Sequence, residues 1–471
     1  MGPFAWRDGV LHAEEAPLPA LAEAVGTPVY VYSAEAIRGS YRRLGAAFAP
    51  LGARFHYALK ASPNLHVCRL IRELGAGMDV VSGGELERAW LAGTPMHEVV
   101  FAGVGKSESE IRAALDGRFS PLRAEAERFG SPPPEGRDAV GLFNCESESE
   151  LEAIARVAGQ LGRRARVAVR VNPNVDPHTH EYTTTGKVEN KFGVDADRVV
   201  ELFDRWAGDP AVELTGLHVH IGSPVPTVEP YAEAIAVLLS LIDELEARGH
   251  AVRVLDLGGG WPVDYREGEV PPIEAYADRI VPLLEPRTRA GLQVCLEPGR
   301  FLLANSGVLL TRVEHVKRGR AKTFVICDAG MHVLIRPALY RAFHFVWPVR
   351  WSGAEPRRAE DAGLAGLASC DVVGPICETG DFLARDRRLP PLARGELLAV
   401  FSAGAYGMSM ASNYNDHGRP AEVLVEGERA LVIAERQSLA ALLETERSPR
   451  ELDLGELPVA EPVAPRPAQP K

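Results

Sequence analysis

Residues 53–75, ARFHYALKASPNLHVCRLIRELG, contain one predicted strand followed directly by one predicted helix. Residues 53–60 alternate and are rich in aromatic and apolar side chains, which is typical of a buried β-strand. Residues 64–75 carry apolar side chains at three- and four-residue intervals, which predicts a helix with one buried face and Asn64 as its N-cap. Because the strand ends at Lys60, it brings an amine to its carboxyl end.

The same strand-then-helix unit recurs along the chain. Further strands are predicted at 77–83, 98–104, 140–147, 166–173, 214–223, 252–260 and 292–300. Further helices are predicted at 84–92, 107–116, 148–161 and 229–248. Alternation of strand and helix indicates parallel pairing, and eight units in about 250 residues predict an α/β protein with a (β/α)8 barrel. A doubly wound open sheet is the alternative, but eight strands of such even spacing favour the barrel.

The alternation of predicted strands and helices stops after the eighth strand. Short strand-like runs separated by Gly, Pro and Asp predict a β-rich second domain, and the strand-like residues 28–32 could join it. The predicted division is a barrel domain at 34–300, a β-rich domain built from 1–33 and 301–448, and a disordered Pro/Ala/Glu-rich tail at 449–471. A proline-rich excursion at 118–137 interrupts the barrel, and we assign it no chemistry.

Composition restricts the class of protein. The net charge of −12 and the pI of about 5.6 argue against a nucleic-acid partner, which would require a basic face. The six cysteines include no CxxC pair, so redox and metal functions have little support. No signal peptide and no run of about 20 apolar residues is recognisable, so we expect a protein of the cytoplasm without a membrane partner.

The predicted barrel brings unusual residues to one mouth, because the carboxyl ends of its strands meet there. The residues at these strand ends are Lys60, His220, Ser223, Gly258-Gly259-Gly260 and Glu297-Pro298-Gly299-Arg300. Purely structural roles do not predict such a convergence. Together the residues indicate a pyridoxal-phosphate site.

Each of these residues also has a plainer interpretation. The three glycines could form a tight turn, or they could point backbone N–H groups at a phosphate that Ser223 also binds. Glu297 needs a partner if it is buried, either a protonated pyridine nitrogen or Arg300. Arg300 could instead face a carboxylate or phosphate.

Two further features have alternative interpretations of the same kind. His220 is either a satisfied core histidine or a ring that stacks on a flat cofactor. A metal bound by His218 and His220 lacks a third ligand nearby in sequence, so we predict no metal. Cys377-Glu378 is either an acid–base pair or part of a loop without catalytic function.

With these motifs, the chain resembles the fold-type III pyridoxal-phosphate-dependent decarboxylases, most closely their bacterial diaminopimelate decarboxylase group. Beyond the strand ends above, the matching stretches are Asp79-Val-Val-Ser-Gly-Gly-Glu85, Asn190-Lys-Phe-Gly193, Arg336-Pro-Ala-Leu-Tyr340, Cys377-Glu-Thr-Gly-Asp381 and Gly404-Ala-Tyr-Gly-Met-Ser-Met-Ala-Ser-Asn-Tyr-Asn415. They extend over nearly the whole of the chain that precedes the tail. The excursion at 118–137 has no counterpart in the family pattern.

The resemblance implies a role for each matching residue. Lys60 would hold the cofactor covalently, Glu297 would keep the pyridine nitrogen protonated, and His220 would stack on the ring. The other implied cofactor-binding residues are Asp79, Ser223, Gly258, Gly259, Gly260, Gly299, Arg300 and Tyr406. The implied substrate-binding residues are Arg300, Arg336, Tyr340, Glu378 and Tyr406. Cys377 would protonate the carbanion left by CO2, and its loop would reach into a partner's site, which implies a homodimer with shared active sites.

The activity implied by the resemblance is decarboxylation of meso-2,6-diaminopimelate to L-lysine and CO2, the last step of lysine biosynthesis. One alternative is a decarboxylase of another basic amino acid or of a carboxylated polyamine, for which Arg336 and Tyr340 would have little use. A second is a non-catalytic regulatory homologue, which would have lost Lys60 or Cys377. An alanine racemase, which shares the barrel and the lysine but lacks a loop like Cys377-Glu378, comes last.

Overall fold

A computed structural model describes residues 3–117, 129, 139–176, 191–360, 362–446, 448–449 and 451. The excursion predicted at 118–137 lies outside the described residues apart from Phe129, as do Asn190 and the tail from 452 onward. The chain begins with β1 (Phe4–Arg7), β2 (Val10–Ala13), β3 (Ala16–Pro17), α1 (Leu18–Val25), β4 (Val29–Ser33) and α2 (Ala34–Ala47).

Eight parallel strands close into a barrel. The strands are β5 (Arg54–Ala58), β6 (Gly77–Val80), β7 (Val99–Phe101), β8 (Leu142–Cys145), β9 (Ala165–Asn172) with the short outer β10 (Val194–Asp195), β11 (Val212–His218), β12 (Val254–Asp256) and β13 (Gln293–Leu296). Each pairs in parallel with the next, and β13 returns to pair with β5. The predicted (β/α)8 barrel is therefore confirmed.

The helices of the barrel begin close to where the sequence predicts. They are α3 (Leu65–Glu73), α4 (Gly83–Leu91), α5 (Glu108–Asp116), α6 (Glu148–Leu161), α7 (Ala196–Trp206), α8 (Glu229–Ala247) and α9 (Ile273–Arg289). Asn64, Ser107 and Ser147 cap α3, α5 and α6 with side-chain oxygens that accept backbone N–H groups. Such caps satisfy donors that the first helical turn leaves unpaired, which is why these helices begin where they do.

Alternation along the strands gives the barrel interior two layers of different chemistry. Val100, Leu142, Ala168, Val254 and Cys295 form a buried apolar cluster in the interior. Two residues further along four of the strands, the buried side chains are polar: Asn144, Arg170, Asp256 and Glu297. Because successive interior positions lie two residues apart, the polar layer faces the carboxyl ends of the strands.

The second domain is built around a mixed sheet. Its elements are α10 (Arg300–Leu303), β14 (Gly307–Arg318), β15 (Thr323–Cys327), α11 (Arg336–Tyr340), β16 (Val346–Pro348), β17 (Ala368–Val373), β18 (Phe382–Leu389), β19 (Leu397–Val400), β20 (Ala421–Glu426), β21 (Arg429–Ala434) and α12 (Leu439–Leu442). The strand order is β18-β17-β15-β14-β4-β20-β21. In addition, β19 pairs with β14, and β16 pairs with β19. The N-terminal β4 thus lies between β14 and β20, as residues 28–32 suggested, and the predicted β-rich second domain is confirmed.

Several predicted strands extend too far. The run predicted at 252–260 is a strand only over Val254–Asp256, and Gly258-Gly259-Gly260 belongs to the following loop. Lys60 and Ser223 likewise follow their strands rather than end them. The ladder stops at Asp256 because Gly258 and Gly260 have φ of +64° and +96°, which strands do not use. In the described part of the chain, no helix has the length and apolar character that a membrane span requires.

Candidate active site

Lys60 occupies a short 3-10 turn directly after β5, and its Nζ donates to Asp79 Oδ2 at 3.0 Å. Asp79 is fully buried at the end of β6, and its Oδ1 has no hydrogen-bond partner. Burial alone would lower the pKa of Lys60, but the carboxylates of Asp79 and Glu297 outweigh it and raise the pKa above its usual value. The side chain remains 34% exposed, so the amine is held in place yet open to a ligand.

Glu297 lies at the centre of a buried polar cluster that four strands build. Asn144 Nδ2 donates to Glu297 Oε1 at 2.9 Å and to Asp256 Oδ2 at 3.3 Å. Burial raises the pKa of both carboxyls, and each carboxylate faces a second acid: Asp79 for Glu297, and Glu297 for Asp256. A cationic N–H donor would stabilise the charged form of Glu297. Glu297 does not form the alternative ion pair with Arg300, whose side chain contacts Ser223 and Tyr265 instead.

The polar cluster also corrects one step of the sequence argument. His218 Nε2 lies 3.5 Å from Glu297 Oε2, and ligand atoms of His218, Asp256 and Glu297 lie within 4.8 Å of one another. Three residues with metal-ligating atoms are therefore close together, although the sequence suggested no third ligand near the histidines. The sequence did not reveal this cluster because the three residues are far apart along the chain. They come together because β11, β12 and β13 are neighbours in the barrel.

The loops after β11, β12 and β13 pack too closely to allow a side chain at any of the three glycines, and a Cβ on Gly259 would lie 2.6 Å from Glu297 O. A Cβ on Gly258 would lie 2.5 Å from Val219 O, and one on Gly260 would lie 2.3 Å from Gly222 O. Gly259 N donates to His220 Nδ1 at 3.0 Å. Burial, reinforced by the charge of Lys60, lowers the pKa of His220 well below its usual value. His220 is therefore a neutral, flat ring held beside the glycine loop.

Arg300 connects the glycine loop to a larger cavity. Its Nε and Nη2 both lie 3.2 Å from Ser223 Oγ, and its Nη1 donates to Tyr265 Oη at 2.8 Å. Its guanidinium also lies 4.9 Å from the ring centre of Tyr406. Gly299 precedes it, and a Cβ there would lie 3.1 Å from the Cβ atoms of Ala58 and Ala61.

The cavity at this mouth has a volume of about 450 Å³. Six predicted site residues line it: His220, Ser223, Arg300, Arg336, Tyr340 and Tyr406. Arg300 and Arg336 are 7% and 5% exposed, and neither forms an ion pair with a carboxylate among the described residues. Two buried cations without carboxylate partners make the cavity suitable for anionic groups.

Arg336 is positioned by residues that the sequence did not single out. Its guanidinium lies 4.9 Å from the ring centre of Tyr265, and its Nη1 lies 3.2 Å from His344 Nε2. Burial, reinforced by the charge of Arg336, lowers the pKa of His344 to about 3, so the neutral imidazole can accept from the guanidinium. Tyr265 and His344 lie in irregular segments, where no periodicity marks them. Asn144 was visible in principle, as a polar residue at an interior strand position.

Cys377 and Glu378 lie away from this cavity. Both are exposed in the loop after β17 and neither lines the cavity. Cys377 N donates to Asn415 Oδ1 at 3.0 Å, and Glu378 Oε2 accepts from Tyr414 Oη at 3.0 Å. Among the described residues of one chain, no hydrogen bond or ion pair joins either of these two predicted site residues to Lys60.

The comparisons with known proteins agree with this geometry. The model of the pyridoxal-binding domain of pyridoxal-dependent decarboxylases matches residues 35–304, which places the barrel in that class of enzyme. The diaminopimelate decarboxylases of Pseudomonas aeruginosa and Aquifex aeolicus are 45% and 41% identical to the chain. They cover 94% and 93% of this chain, which in turn covers 98% and 96% of them.

Solved structures give the same result. Diaminopimelate decarboxylase from Helicobacter pylori complexed with L-lysine has a TM-score of 0.79 at 35% identity, covering 91% of this chain and 99% of that one. The enzyme from M. jannaschii has a TM-score of 0.83 at 34% identity, covering 95% and 98%. The chain belongs to the diaminopimelate decarboxylase family. The predictions of the family, of an enzyme and of pyridoxal 5'-phosphate as cofactor are confirmed.

Proposed function

We propose that this chain decarboxylates meso-2,6-diaminopimelate to L-lysine and CO2, the last step of lysine biosynthesis. The observation that carries the proposal is similarity along nearly the whole length to diaminopimelate decarboxylases, some of them crystallised with L-lysine. The cavity adds chemical support, because the buried Arg300 and Arg336 suit a ligand with carboxylates.

The residues at the mouth fit pyridoxal 5'-phosphate. The glycine loop leaves no room for side chains, and Ser223 and Arg300 beside it offer donors for a phosphate. Glu297 has a raised pKa, and its hydrogen-bond donor among the described residues is the neutral amide of Asn144, so a protonated ring nitrogen would add a cationic donor. When bound, this cofactor supplies an electron sink for the electron pair that departing CO2 leaves behind.

Each residue at the mouth has a separate role toward the cofactor. Lys60 holds the cofactor through its amine, and Asp79 orients that amine. Glu297 would keep a proton at the ring nitrogen, and the neutral His220 would contact the ring. The assigned phosphate site consists of Ser223, Gly258, Gly259, Gly260, Gly299, Arg300 and Tyr406.

Substrate selection rests on the second buried cation. Arg336, with Tyr340 beside it, binds the distal carboxylate that distinguishes diaminopimelate from ornithine. A substrate without this carboxylate leaves Arg336 desolvated and unpaired, which costs binding energy in the transition state. Arg300 and Tyr406 contact the substrate on the cofactor side. No metal is needed for these steps, and we assign none to the group of His218, Asp256 and Glu297.

Completion of the site requires a second copy of the chain. Cys377 and Glu378 are exposed and do not line the cavity, which supports an arrangement in which one protomer lends them to its partner. Cys377 would then deliver its thiol proton to the carbon that has lost CO2, and Glu378 would contact the substrate. We therefore propose a homodimer with shared active sites that works in the cytoplasm, with its domains divided at 34–300 against 1–33 and 301–448.

The experiment that tests this function is CO2 release from meso-diaminopimelate, with L-ornithine, L-arginine and L-lysine in parallel, using cofactor-saturated protein. Turnover of diaminopimelate alone is expected. Turnover of ornithine, arginine or lysine would favour a decarboxylase for another basic amino acid, and a carboxylated polyamine is added to cover the remaining enzyme alternative. Absence of turnover on every compound would favour a non-catalytic regulatory homologue.

A further inference from the structure

The barrel has a second cavity at its opposite end, where the strands begin. Its volume is about 330 Å³. Arg54, Arg166 and Arg253 line it, at the first position of β5, at the second position of β9 and directly before β12. The apolar cluster in the barrel interior forms its floor and separates it from the polar layer around Glu297. An occupant of this cavity is therefore distinct from the cofactor and the substrate.

The charge of this cavity is opposite to that of the chain. The chain carries a net charge of −12, yet the described residues that line the cavity include three arginines and no Asp or Glu. Arg253 donates to Glu213 at 2.7 Å, whereas Arg54 and Arg166 form no ion pair within the described part of the chain. Both side chains are exposed and line the cavity. Clustered cations of this kind favour an anionic counter-ligand.

A buried imidazole adds an independent sign of a ligand. His56 lines the cavity and is 8% exposed, and its Nδ1 has no hydrogen-bond partner among the residues that the structure describes. It lies two residues after Arg54 on β5, so both side chains project from the same face of the strand. Gly77 on β6 makes room for the ring, because a Cβ there would lie 2.6 Å from His56 Cδ2. A buried ring nitrogen without a partner is costly unless a ligand supplies one.

We propose that this cavity binds a small divalent oxyanion, with Arg54 and Arg166 as its charge partners and His56 Nδ1 as a buried donor. The guanidinium geometry suits the paired oxygens of a phosphate or of a dicarboxylate, which share the chemistry that the site recognises. The three arginines are exposed to solvent, and the buried His56 adds a desolvated ring nitrogen to the wall that they share. The site is independent of the proposed decarboxylation.

The test is isothermal titration calorimetry of the cofactor-saturated protein with inorganic phosphate and, separately, with succinate, at constant ionic strength. Binding at one site per chain is expected for at least one of the two anions, and the anion that binds identifies the class of ligand. Arg54→Gln and Arg166→Gln should each weaken binding by about tenfold or more, since each removes a charge-assisted hydrogen bond.

Two control variants locate the heat signal. Arg289→Gln removes an exposed arginine near the same end of the barrel and should leave the affinity unchanged. Arg336→Gln identifies any heat that arises from anion binding in the active-site cavity, and the binding that remains in this variant is that of the second cavity. The proposal is overturned if neither anion binds, if binding survives both Arg54→Gln and Arg166→Gln, or if Arg336→Gln abolishes it.

Discussion

Replacing Asn144 tests whether the buried cluster positions Glu297 for the cofactor. Asn144→Leu keeps the number and branching of the side-chain heavy atoms but removes the donor that lies 2.9 Å from Glu297 Oε1 and 3.3 Å from Asp256 Oδ2. A hydrogen bond to a charged group contributes about 1.5–3 kcal/mol, which corresponds to about a 10- to 150-fold change in an equilibrium constant. Since Glu297 faces the ring nitrogen in our assignment, we expect the Kd for pyridoxal 5'-phosphate to rise by a factor in this range.

The assay is a double-mutant cycle on cofactor affinity, followed by the absorbance of the bound cofactor. The four proteins are the natural chain, Asn144→Leu, Glu297→Gln and the double variant. If Asn144 acts through Glu297, its replacement should change the Kd little once Glu297 is a glutamine. An equal loss of affinity in both backgrounds would refute the reasoning, because Asn144 would then act by some other route.

Three further predictions follow from the structure. Arg336→Gln should lower kcat/KM for diaminopimelate by about 100- to 1000-fold, as expected when one partner of a buried charge pair is removed, and should leave the low rate with ornithine unchanged. In the folded chain, burial lowers the pKa of His344 from 6.5 to about 3. Below pH 6.5 the unfolded chain therefore binds a proton that the folded chain does not bind, so the free energy of unfolding decreases as the pH falls. Between about pH 7.5 and pH 5, His344→Asn should lose about 2 kcal/mol less free energy of urea unfolding than the natural chain, and equal losses would contradict this. Lys60→Ala and Cys377→Ala should each be inactive alone, yet after mixing and reassociation they should recover about a quarter of the natural activity if protomers share sites, and none if each chain builds its own site.

The repeating elements of the fold could be predicted because their signals are local. The helix predicted at 148–161 is observed as Glu148–Leu161, and its Ser147 cap could be identified from the sequence. The strand-like residues 28–32 indicated that the N-terminus joins the second domain, and β4 does pair with β14 and β20. Such signals depend only on side-chain periodicity and on hydrogen bonds between near neighbours.

The contacts of the site could be predicted only in part, because they join residues far apart in sequence. Once a barrel is assumed, Lys60, His220, Glu297 and Arg300 must converge at one mouth, and the sequence gives no more than this. That Arg300 contacts Ser223 and Tyr265 instead of Glu297 depends on how three loops pack. The role that we propose for Cys377 requires a second chain, which the sequence suggests only through the family resemblance.

The most direct test of the proposed activity measures both products from meso-diaminopimelate, using the natural chain and Lys60→Ala, each supplied with excess pyridoxal 5'-phosphate. The natural chain should release CO2 and L-lysine in equal amounts, and Lys60→Ala should release neither at a comparable rate, because it lacks the amine that holds the cofactor. Full activity in Lys60→Ala, or CO2 release without L-lysine, would contradict the assignment of the site or of the substrate.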